Sequence, residues 1–276
     1  MLIGDRKFDT ENGVYVMGIL NVTPDSFSDG GLWTERDAAL RQAGRMAAEG
    51  AAIIDIGGES TRPGHTPVSA EDEAARVLPI VEAVKRETGL PVSIDTYKAE
   101  VARAALEAGA DMVNDIWGLR RDGGEMAALI AGTGAACCLM HNRERAEYAD
   151  FMADMLSDLR ETLAIADRAG IARSSIVLDP GIGFGKTYEQ NLIAMNRLDE
   201  LLAFGCPVLL AASRKSVIGL TLDLPADERM EGTIATTVAG VLRGAAFVRV
   251  HDVKENLRAA RMALAIRREA GLDAQL

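Results

Sequence analysis

The sequence contains few cysteines and no disulfide pattern. Only 3 of the 276 residues are cysteines, which is too few for a disulfide framework. Two of them, Cys137 and Cys138, are adjacent within an apolar, strand-like run. Because an unpaired cysteine in such a run usually behaves as a small apolar side chain, we expect packing rather than metal or redox chemistry.

The sequence is also poor in basic charge and in long apolar runs. It has 30 Lys and Arg against 41 Asp and Glu, a formal net charge of −11 and a pI near 4.9. This balance argues against a nucleic-acid or anionic-membrane surface, so an anionic ligand must be held by a local cluster of cations. No stretch is long and apolar enough for a signal peptide or a membrane span. We therefore expect a cytoplasmic protein with no nucleic-acid or membrane partner.

Apolar runs and amphipathic segments alternate eight times along the chain, which predicts eight strands that are each followed by a helix. This pattern is typical of an α/β protein with a single (β/α)8 TIM barrel domain over residues 1–276. A doubly wound open sheet is the alternative, but it normally uses fewer strands. The predicted strands are 14–20, 51–56, 91–95, 111–115, 135–140, 175–179, 207–212 and 246–250, and the helices are 35–49, 70–87, 98–108, 125–131, 150–169, 188–202, 227–243 and 254–269.

Polar residues follow every predicted strand, at the end where barrel enzymes carry their active site. Helix N-caps also fall at these positions, but capping alone hardly explains polar groups of both charges after all of the strands. The residues are Asn21, Asp55 with Glu59, Asp95, Asn114 with Asp115, Met140 with His141, Asp179, Ser213 to Lys215, and Arg249 with His251.

Three of these residues are hydrogen-bond acceptors that end different strands: Asp95, Asn114 and Asp179. Such a set suits a flat heterocycle that presents several N–H donors. A metal site is the competing interpretation, but no His-x-His or paired-carboxylate spacing supports a metal held by protein alone.

Asp179 is followed by a glycine-rich loop, residues 180–187, whose Gly-Lys-Thr ending resembles a phosphate loop. Pro180 occupies the position where that motif requires glycine, so we reject this interpretation.

Positive charge is concentrated after the last two strands, where barrels often bind phosphate. Lys215, Arg249 and His251 supply it. Because Arg249 alternates with valines that must face the helices, its side chain should point into the barrel, where it requires an anionic partner. The long, hydroxyl-rich loop 21–31 offers oxygen ligands that suit Mg²⁺. No nucleophile and base pair stands out, which favours a transfer driven by a good leaving group.

These motifs together closely resemble the dihydropteroate synthases. The similarity lies in residues 17–31, 55–64, 93–96, 114–115, 139–141, 179–187, 213–216 and 249–252, in the family's order. The resemblance implies that 6-hydroxymethyl-7,8-dihydropterin pyrophosphate condenses with p-aminobenzoate to give 7,8-dihydropteroate and pyrophosphate. It also implies Mg²⁺ as the cofactor, a homodimer and a target for sulfonamides.

The resemblance further assigns roles to individual residues. The pterin would be bound by Asp95, Asn114, Met140, Asp179, Phe184 and Lys215. The p-aminobenzoate would be bound by Thr61, Arg62, Pro63, Phe184, Lys215 and Ser216, with Phe27 from the first loop. Pyrophosphate would be bound by Asn21, Thr61, Arg249 and His251, with Asn21 also a metal ligand. The residues closest to the chemistry would be Asp95, Asp179, Lys215 and Asp29.

The implied mechanism is dissociative: pyrophosphate leaves first, and the neutral arylamine then attacks a pterin-methyl cation stabilised by Asp95 and Asp179. Three alternatives remain open from sequence. A related methyltransferase barrel would share the pterin acceptors, and a non-catalytic paralogue would bind pterin without turnover. A metal-dependent aldolase of the same fold would need clearer metal ligands.

Overall fold

The computed structural model describes residues 1–23, 35–59 and 68–270. A short antiparallel hairpin precedes a parallel barrel whose strand order is β8-β7-β6-β5-β4-β3-β10-β9. A parallel bridge between Leu178 and Val208 joins β8 to β9 and closes the barrel, which confirms the predicted (β/α)8 architecture. The hairpin strands are β1 (Leu2–Ile3) and β2 (Arg6–Lys7), and the barrel strands are β3 (Tyr15–Asn21), β4 (Ile53–Gly57), β5 (Val92–Asp95), β6 (Met112–Asp115), β7 (Ala136–Met140), β8 (Ile176–Asp179), β9 (Leu209–Leu210) and β10 (Phe247–Val250).

Helices cover the outside of the barrel, and their ends follow local sequence signals. Ser69 accepts a hydrogen bond from the backbone N–H of Asp72 and so caps α2, which ends at the left-handed Gly89. Thr187 and Gln190 form a reciprocal capping box at the start of α6. The helices are α1 (Glu35–Ala48), α2 (Ala70–Thr88), α3 (Ala99–Glu107), α4 (Glu125–Thr133), α5 (Phe151–Ala169), α6 (Tyr188–Asn196), α7 (Ser216–Leu222), α8 (Met230–Leu242) and α9 (Val253–Arg268).

The strand residues alternate between two buried environments. In β4, Ile54 and Ile56 pack among the apolar side chains between sheet and helices, whereas Ile53 belongs to a separate cluster inside the barrel. Because side chains alternate along a strand, Asp55 faces the interior with Ile53. The same alternation places Ser93 and Asp95 of β5 on the inner face. Most strands therefore contribute an apolar residue low in the barrel, whereas β5 contributes Ser93 and Asp95, and several strands carry a polar residue near the carboxyl end.

Aromatic side chains fill the amino-terminal end of the barrel. Phe8, which follows the hairpin, meets the ring of Tyr15 edge-on at 4.8 Å and that of Phe247 at 5.7 Å. Phe8 and Ile3 are buried in the same interior cluster. This end is consequently packed with apolar groups, and the inward-facing polar residues lie towards the opposite end.

Several element boundaries differ from the sequence prediction. The hairpin and α7 were not predicted. The segment predicted as one helix over 188–202 is α6 followed by a 3₁₀ helix (Leu198–Phe204), in which Leu198 and Leu201 are both buried at the three-residue spacing of that helix. Strand β9 is shorter than predicted, and Pro207 before it has no N–H to donate.

The helix predicted over 227–243 also starts later, at Met230 of α8. A 3₁₀ turn at Ala226–Glu228 precedes α8, and Arg229 between them donates to the carbonyls of Leu224 and Arg214. Within the described ranges, no helix combines the length and the hydropathy needed to cross a membrane.

Candidate active site

The carboxyl ends of the strands converge on one mouth of the barrel. Asp95 ends β5, Asn114 lies near the end of β6, and Asp179 ends β8. All three side chains are buried. Strand alternation directs them to the inner face, so the three acceptors identified in the sequence face into one mouth of the barrel, the candidate pocket.

An arginine connects two of the inward carboxylates. Arg249 of β10 donates through Nε to Asp55 Oδ2 and through Nη2 to Asp95 Oδ2, both at 2.6 Å. Asn114 donates from Nδ2 to the same oxygen of Asp55 at 3.3 Å, which leaves its Oδ1 as an acceptor. The sequence placed Arg249 inward with an anionic partner. Its partners in the structure are the protein's own carboxylates, and the two hydrogen bonds use two of the five N–H donors of a guanidinium.

Two carboxylate oxygens of this network have no hydrogen-bond partner within the described part of the chain. They are Oδ1 of Asp55 and Oδ1 of Asp95, and the hydroxyl of Ser93, the register partner of Asp55 on β5, is also unpaired. Burial raises the pKa of Asp95 to about 7, a shift that Arg249 opposes and Asp55 reinforces. A buried, unpaired acceptor is costly, so Asp95 Oδ1 favours a ligand that brings an N–H donor.

Asp179 and Lys215 form the other side of the pocket. Asp179 Oδ1 accepts from the backbone N–H of Gly181 at 2.7 Å. Burial raises the pKa of Asp179, and the nearby ammonium of Lys215 opposes this shift. Burial also lowers the pKa of Lys215 to about 8, which Asp179 opposes. Lys215 donates to the carbonyl of Ile182, and its Nζ lies 4.7 Å from the ring centroid of Phe184.

The loop after Asp179 needs glycine for two different reasons. Gly181 and Gly183 have φ values of +71° and +84°, in the left-handed region that favours glycine. A Cβ on Gly181 would lie 1.9 Å from the carbonyl oxygen of His141, so the backbones of two loops touch here. A Cβ on Gly183 would lie 3.2 Å from Cδ of Lys215. The glycines therefore let the loop pack against both His141 and Lys215.

Polar groups also end β3, β9 and β10. The Ser213 hydroxyl accepts from the backbone N–H of His251 at 3.2 Å and lies 2.9 Å from its Nδ1, which holds the imidazole at the mouth. Asn21 ends β3 beside Gly57, where an added Cβ would be 3.7 Å from Asn21 Oδ1. Among the described residues, no cluster of three or more His, Cys, Asp or Glu could bind a metal ion.

The remaining predicted site residues in the described ranges lie around the same pocket. Met140 is buried at the end of β7, on the inward face that Cys138 shares. Phe184 is half-buried beside Lys215, and Ser216 is exposed at the first position of α7. Phe27, Asp29, Thr61, Arg62 and Pro63 lie outside the described residues.

Some polar residues that follow strands serve the scaffold. Asp115 accepts from the backbone N–H groups of Trp117 and Leu119 at 2.8 and 2.7 Å. Glu59 accepts from Lys98 and Tyr97. In the same way, His141 lies 2.9 Å from Asp158, and Arg214 pairs with Asp252 at 2.7 Å. These side chains therefore have hydrogen-bond partners within the protein around the mouth.

Asp55 and Lys186 both take part in the hydrogen bonds around the site, but the sequence prediction assigned neither of them a role. Asp55 follows Ile53 on the inner face, so period-two alternation was the signal that could have identified it. Lys186 was set aside with the rejected phosphate-loop motif. In the structure, its ammonium turns back into the loop and donates to the carbonyls of Gly181 and Phe184 at 2.9 and 3.0 Å.

A family comparison defines the class of this barrel. The family profile described as "Pterin binding enzyme" matches residues 17–251, which include every barrel strand from Met17 of β3 onward. The chain therefore belongs to the pterin-binding enzymes.

Sequence relatives and solved structures narrow the class. The chain is 56% identical to the dihydropteroate synthase of Clostridium beijerinckii, over 95% of this chain and 97% of that protein. It is 53% identical to the Bacillus subtilis enzyme, over 93% and 90%. A structure of the Clostridium difficile dihydropteroate synthase with pteroic acid superposes with a TM-score of 0.91 at 51% identity, covering 94% of this chain and 99% of that one. A structure of a Yersinia pestis dihydropteroate synthase in complex with a sulfonamide superposes with a TM-score of 0.90 at 41% identity, covering 97% of this chain and 99% of that one. Within the pterin-binding enzymes, the chain is a member of the dihydropteroate synthase family of transferases.

Proposed function

We propose that this chain condenses 6-hydroxymethyl-7,8-dihydropterin pyrophosphate with p-aminobenzoate, releasing 7,8-dihydropteroate and pyrophosphate. Family membership supports this activity. The observation that carries the proposal is the unpaired Oδ1 of Asp95, which lies in the same pocket as Asn114 and Asp179. A set of buried acceptors of this kind is complementary to the amino and ring N–H groups along the edge of a pterin.

In this proposal, the pterin lies across the mouth with its donor edge towards Asp95 and Asp179. The carboxylates bind most strongly when ionised, so pterin N–H groups favour their charged forms against the effect of burial. Lys215 faces the acceptor side of the ring. Met140 and Phe184 supply apolar contact, and the position of Phe184 beside Lys215 suits both the pterin and the p-aminobenzoate.

The leaving group is assigned to the corner formed by Arg249, His251 and Asn21. Arg249 already bonds Asp95, so the pterin pocket and the pyrophosphate corner share one charged group. Asn21 offers a single neutral amide oxygen, and this fits Mg²⁺, which commonly takes one or two protein ligands together with water and substrate phosphates. When bound there, Mg²⁺ would supply positive charge against the phosphate oxygens.

The chemistry that follows from these assignments is dissociative. The bond between the pterin methylene carbon and the pyrophosphate oxygen breaks, and its electron pair leaves with the pyrophosphate beside Arg249 and His251. The carbocation is stabilised by the pterin ring and by the negative charges of Asp95 and Asp179. The arylamine nitrogen, which is already neutral, then attacks the carbon without a strong general base, and the resulting ammonium gives its proton to solvent. The roles predicted for Phe27, Asp29 and residues 61–63 remain predictions.

We further propose that the chain acts in the cytoplasm as a homodimer. Large apolar side chains are exposed on α6, α7 and α8, three helices that contact one another. Exposed apolar side chains on three neighbouring helices suit an interface with a second copy. The side chains are Leu192, Ile193, Leu220, Leu222 and Met230, of which Leu220 is 69% exposed.

The proposed activity is tested by measuring pyrophosphate and dihydropteroate together, with Mg²⁺ and the pterin pyrophosphate, in the presence and absence of p-aminobenzoate. We expect equal amounts of both products when the amine is present. Tight pterin binding without release in either reaction would reject the synthase activity and favour a binding paralogue or a methyltransferase barrel.

A further inference from the structure

Lys186 lies inside the active-site loop rather than at its surface tip. Its Nζ is within 3.0 Å of three acceptors: the carbonyls of Gly181 and Phe184, and Nδ1 of His141 at 2.9 Å. An ammonium has three donors, and this environment offers one acceptor for each. Lys186 therefore bonds Gly181 and Phe184 within the glycine loop and joins them to His141, which follows β7.

The hydrogen bonds around His141 determine the direction of this contact. Nε2 of His141 lies 2.9 Å from the carboxylate of Asp158, which also accepts from Arg143. A carboxylate cannot donate, so Nε2 carries the proton and Nδ1 of the neutral ring is an acceptor. Burial lowers the pKa of His141 to about 4, consistent with a neutral ring. Lys186 must consequently be the donor in its contact with His141.

The same loop positions groups on its other side that face the pocket. The backbone N–H of Gly181 donates to Asp179, and the carbonyl of Ile182 accepts from Lys215. Gly181 is itself bonded by Lys186, and Ile182 is the next residue in the chain. Phe184, whose carbonyl accepts from Lys186, presents its ring to Lys215. Displacement of the loop would therefore shift Asp179, Phe184 and Lys215 together.

We propose that Lys186 is a positioning residue for the reaction: its ammonium fixes the glycine loop so that Asp179, Phe184 and Lys215 meet the pterin in one arrangement. This inference rests on the proposed function for its kinetic consequence. Burial lowers the pKa of Lys186 to about 7, and Asp179 opposes that shift. The three acceptors favour the charged donor form.

The test uses the Lys186→Ala variant of the full chain, which removes the three donors together with the atoms that correspond to propylammonium. We expect kcat/KM for the pterin pyrophosphate to fall about 100-fold, the loss expected for a displacement of about 1 Å at a site of chemistry. Added propylammonium should restore activity at least about tenfold, whereas tetramethylammonium, which has the same charge but no N–H donor, should not. Lys254→Ala, at an exposed position of α9, is the matched control and should behave as wild type.

Amide hydrogen exchange gives a readout that needs no substrate. Exchange across residues 181–187 should be faster in Lys186→Ala than in wild type, and propylammonium should slow it again. A variant with wild-type kcat/KM and unchanged exchange would overturn the inference, and so would a loss of activity that propylammonium cannot restore. The activity of the wild type, measured in the same assay, distinguishes failure of the proposed synthase activity from failure of the proposed role of Lys186. An inactive wild type with amine-responsive exchange in the variant would reject the proposed function alone.

Discussion

Replacing Asp55 by Asn tests whether the charged network at the mouth works as a unit. Asp55 is fully buried and accepts from Arg249 at 2.6 Å and from Asn114 at 3.3 Å. The substitution keeps the shape and removes the charge. We expect the free energy of unfolding to fall by about 2 kcal/mol, the usual contribution of a hydrogen bond to a charged group. Complete loss of a buried ion pair costs more, about 3–5 kcal/mol, but Arg249 retains Asp95.

The more diagnostic effect of this substitution is on Asp95. The negative charge of Asp55 raises the pKa of Asp95, so its removal should lower that pKa from about 7. Asp95 accepts pterin N–H groups best as a carboxylate, and it is protonated below its pKa. In wild type, pterin affinity should therefore decline as pH falls through about 7. In Asp55→Asn, the decline should begin at a lower pH.

Calorimetric titration of 6-hydroxymethylpterin on both sides of neutral pH measures this shift. Asp111→Asn is the matched control, because Asp111 also bonds a cation, Lys85 at 2.7 Å, but precedes β6 at the opposite end of the barrel. The control should have a lower free energy of unfolding, but its pterin affinity should decline around the same pH as in wild type. An Asp55→Asn midpoint that stays fixed or moves to higher pH would refute the electrostatic coupling of Asp55, Arg249 and Asp95.

Three further predictions concern the loop, the interface and the second substrate. Gly181→Ala should lower the free energy of unfolding by more than about 2 kcal/mol in urea denaturation, because the added Cβ meets the carbonyl of His141 at 1.9 Å. Gly89→Ala, also at positive φ but with open space around it, should cost only about 1 kcal/mol, and equal costs would contradict the clash. Leu220→Glu should convert the dimer to monomer in sedimentation, whereas a dimer that persists would place the interface elsewhere. A sulfonamide should inhibit competitively against p-aminobenzoate, and purely noncompetitive inhibition would argue against a shared pocket.

The barrel was predictable because its signals are local and repeated. Each strand is a short apolar run, and several helices have their own start or stop residues, such as Thr187 before α6 and Gly89 after α2. Eight repeats of one unit leave few alternatives. The boundaries around 197–230 were less predictable, since they depend on contacts such as that of Arg229 with the carbonyl of Leu224.

The site was only partly predictable for a related reason. Alternation along β5 and β10 indicates that Asp95 and Arg249 point inward, and chain order indicates that they reach the same mouth. Arg249 and Asp55 are 194 positions apart in the sequence, so their hydrogen bond depends on the tertiary structure and has no local sequence signal. The same holds for Lys186, whose acceptors include His141, 45 positions away. Sequence therefore indicated which acceptors reach the mouth, whereas the hydrogen bonds that hold them could be read only from the structure.

The leaving-group-first order can be measured directly with the pterin pyrophosphate labelled with ¹⁸O in the oxygen that joins the methylene carbon to phosphorus. If this carbon–oxygen bond breaks before the amine attacks, the bound pyrophosphate can rotate and recombine. Recovered substrate should then show the label scrambled into non-bridging positions when p-aminobenzoate is absent, seen as a shift of the ³¹P resonance. A substrate that keeps its label in the bridge without the amine, yet forms dihydropteroate with it, would contradict the dissociative order.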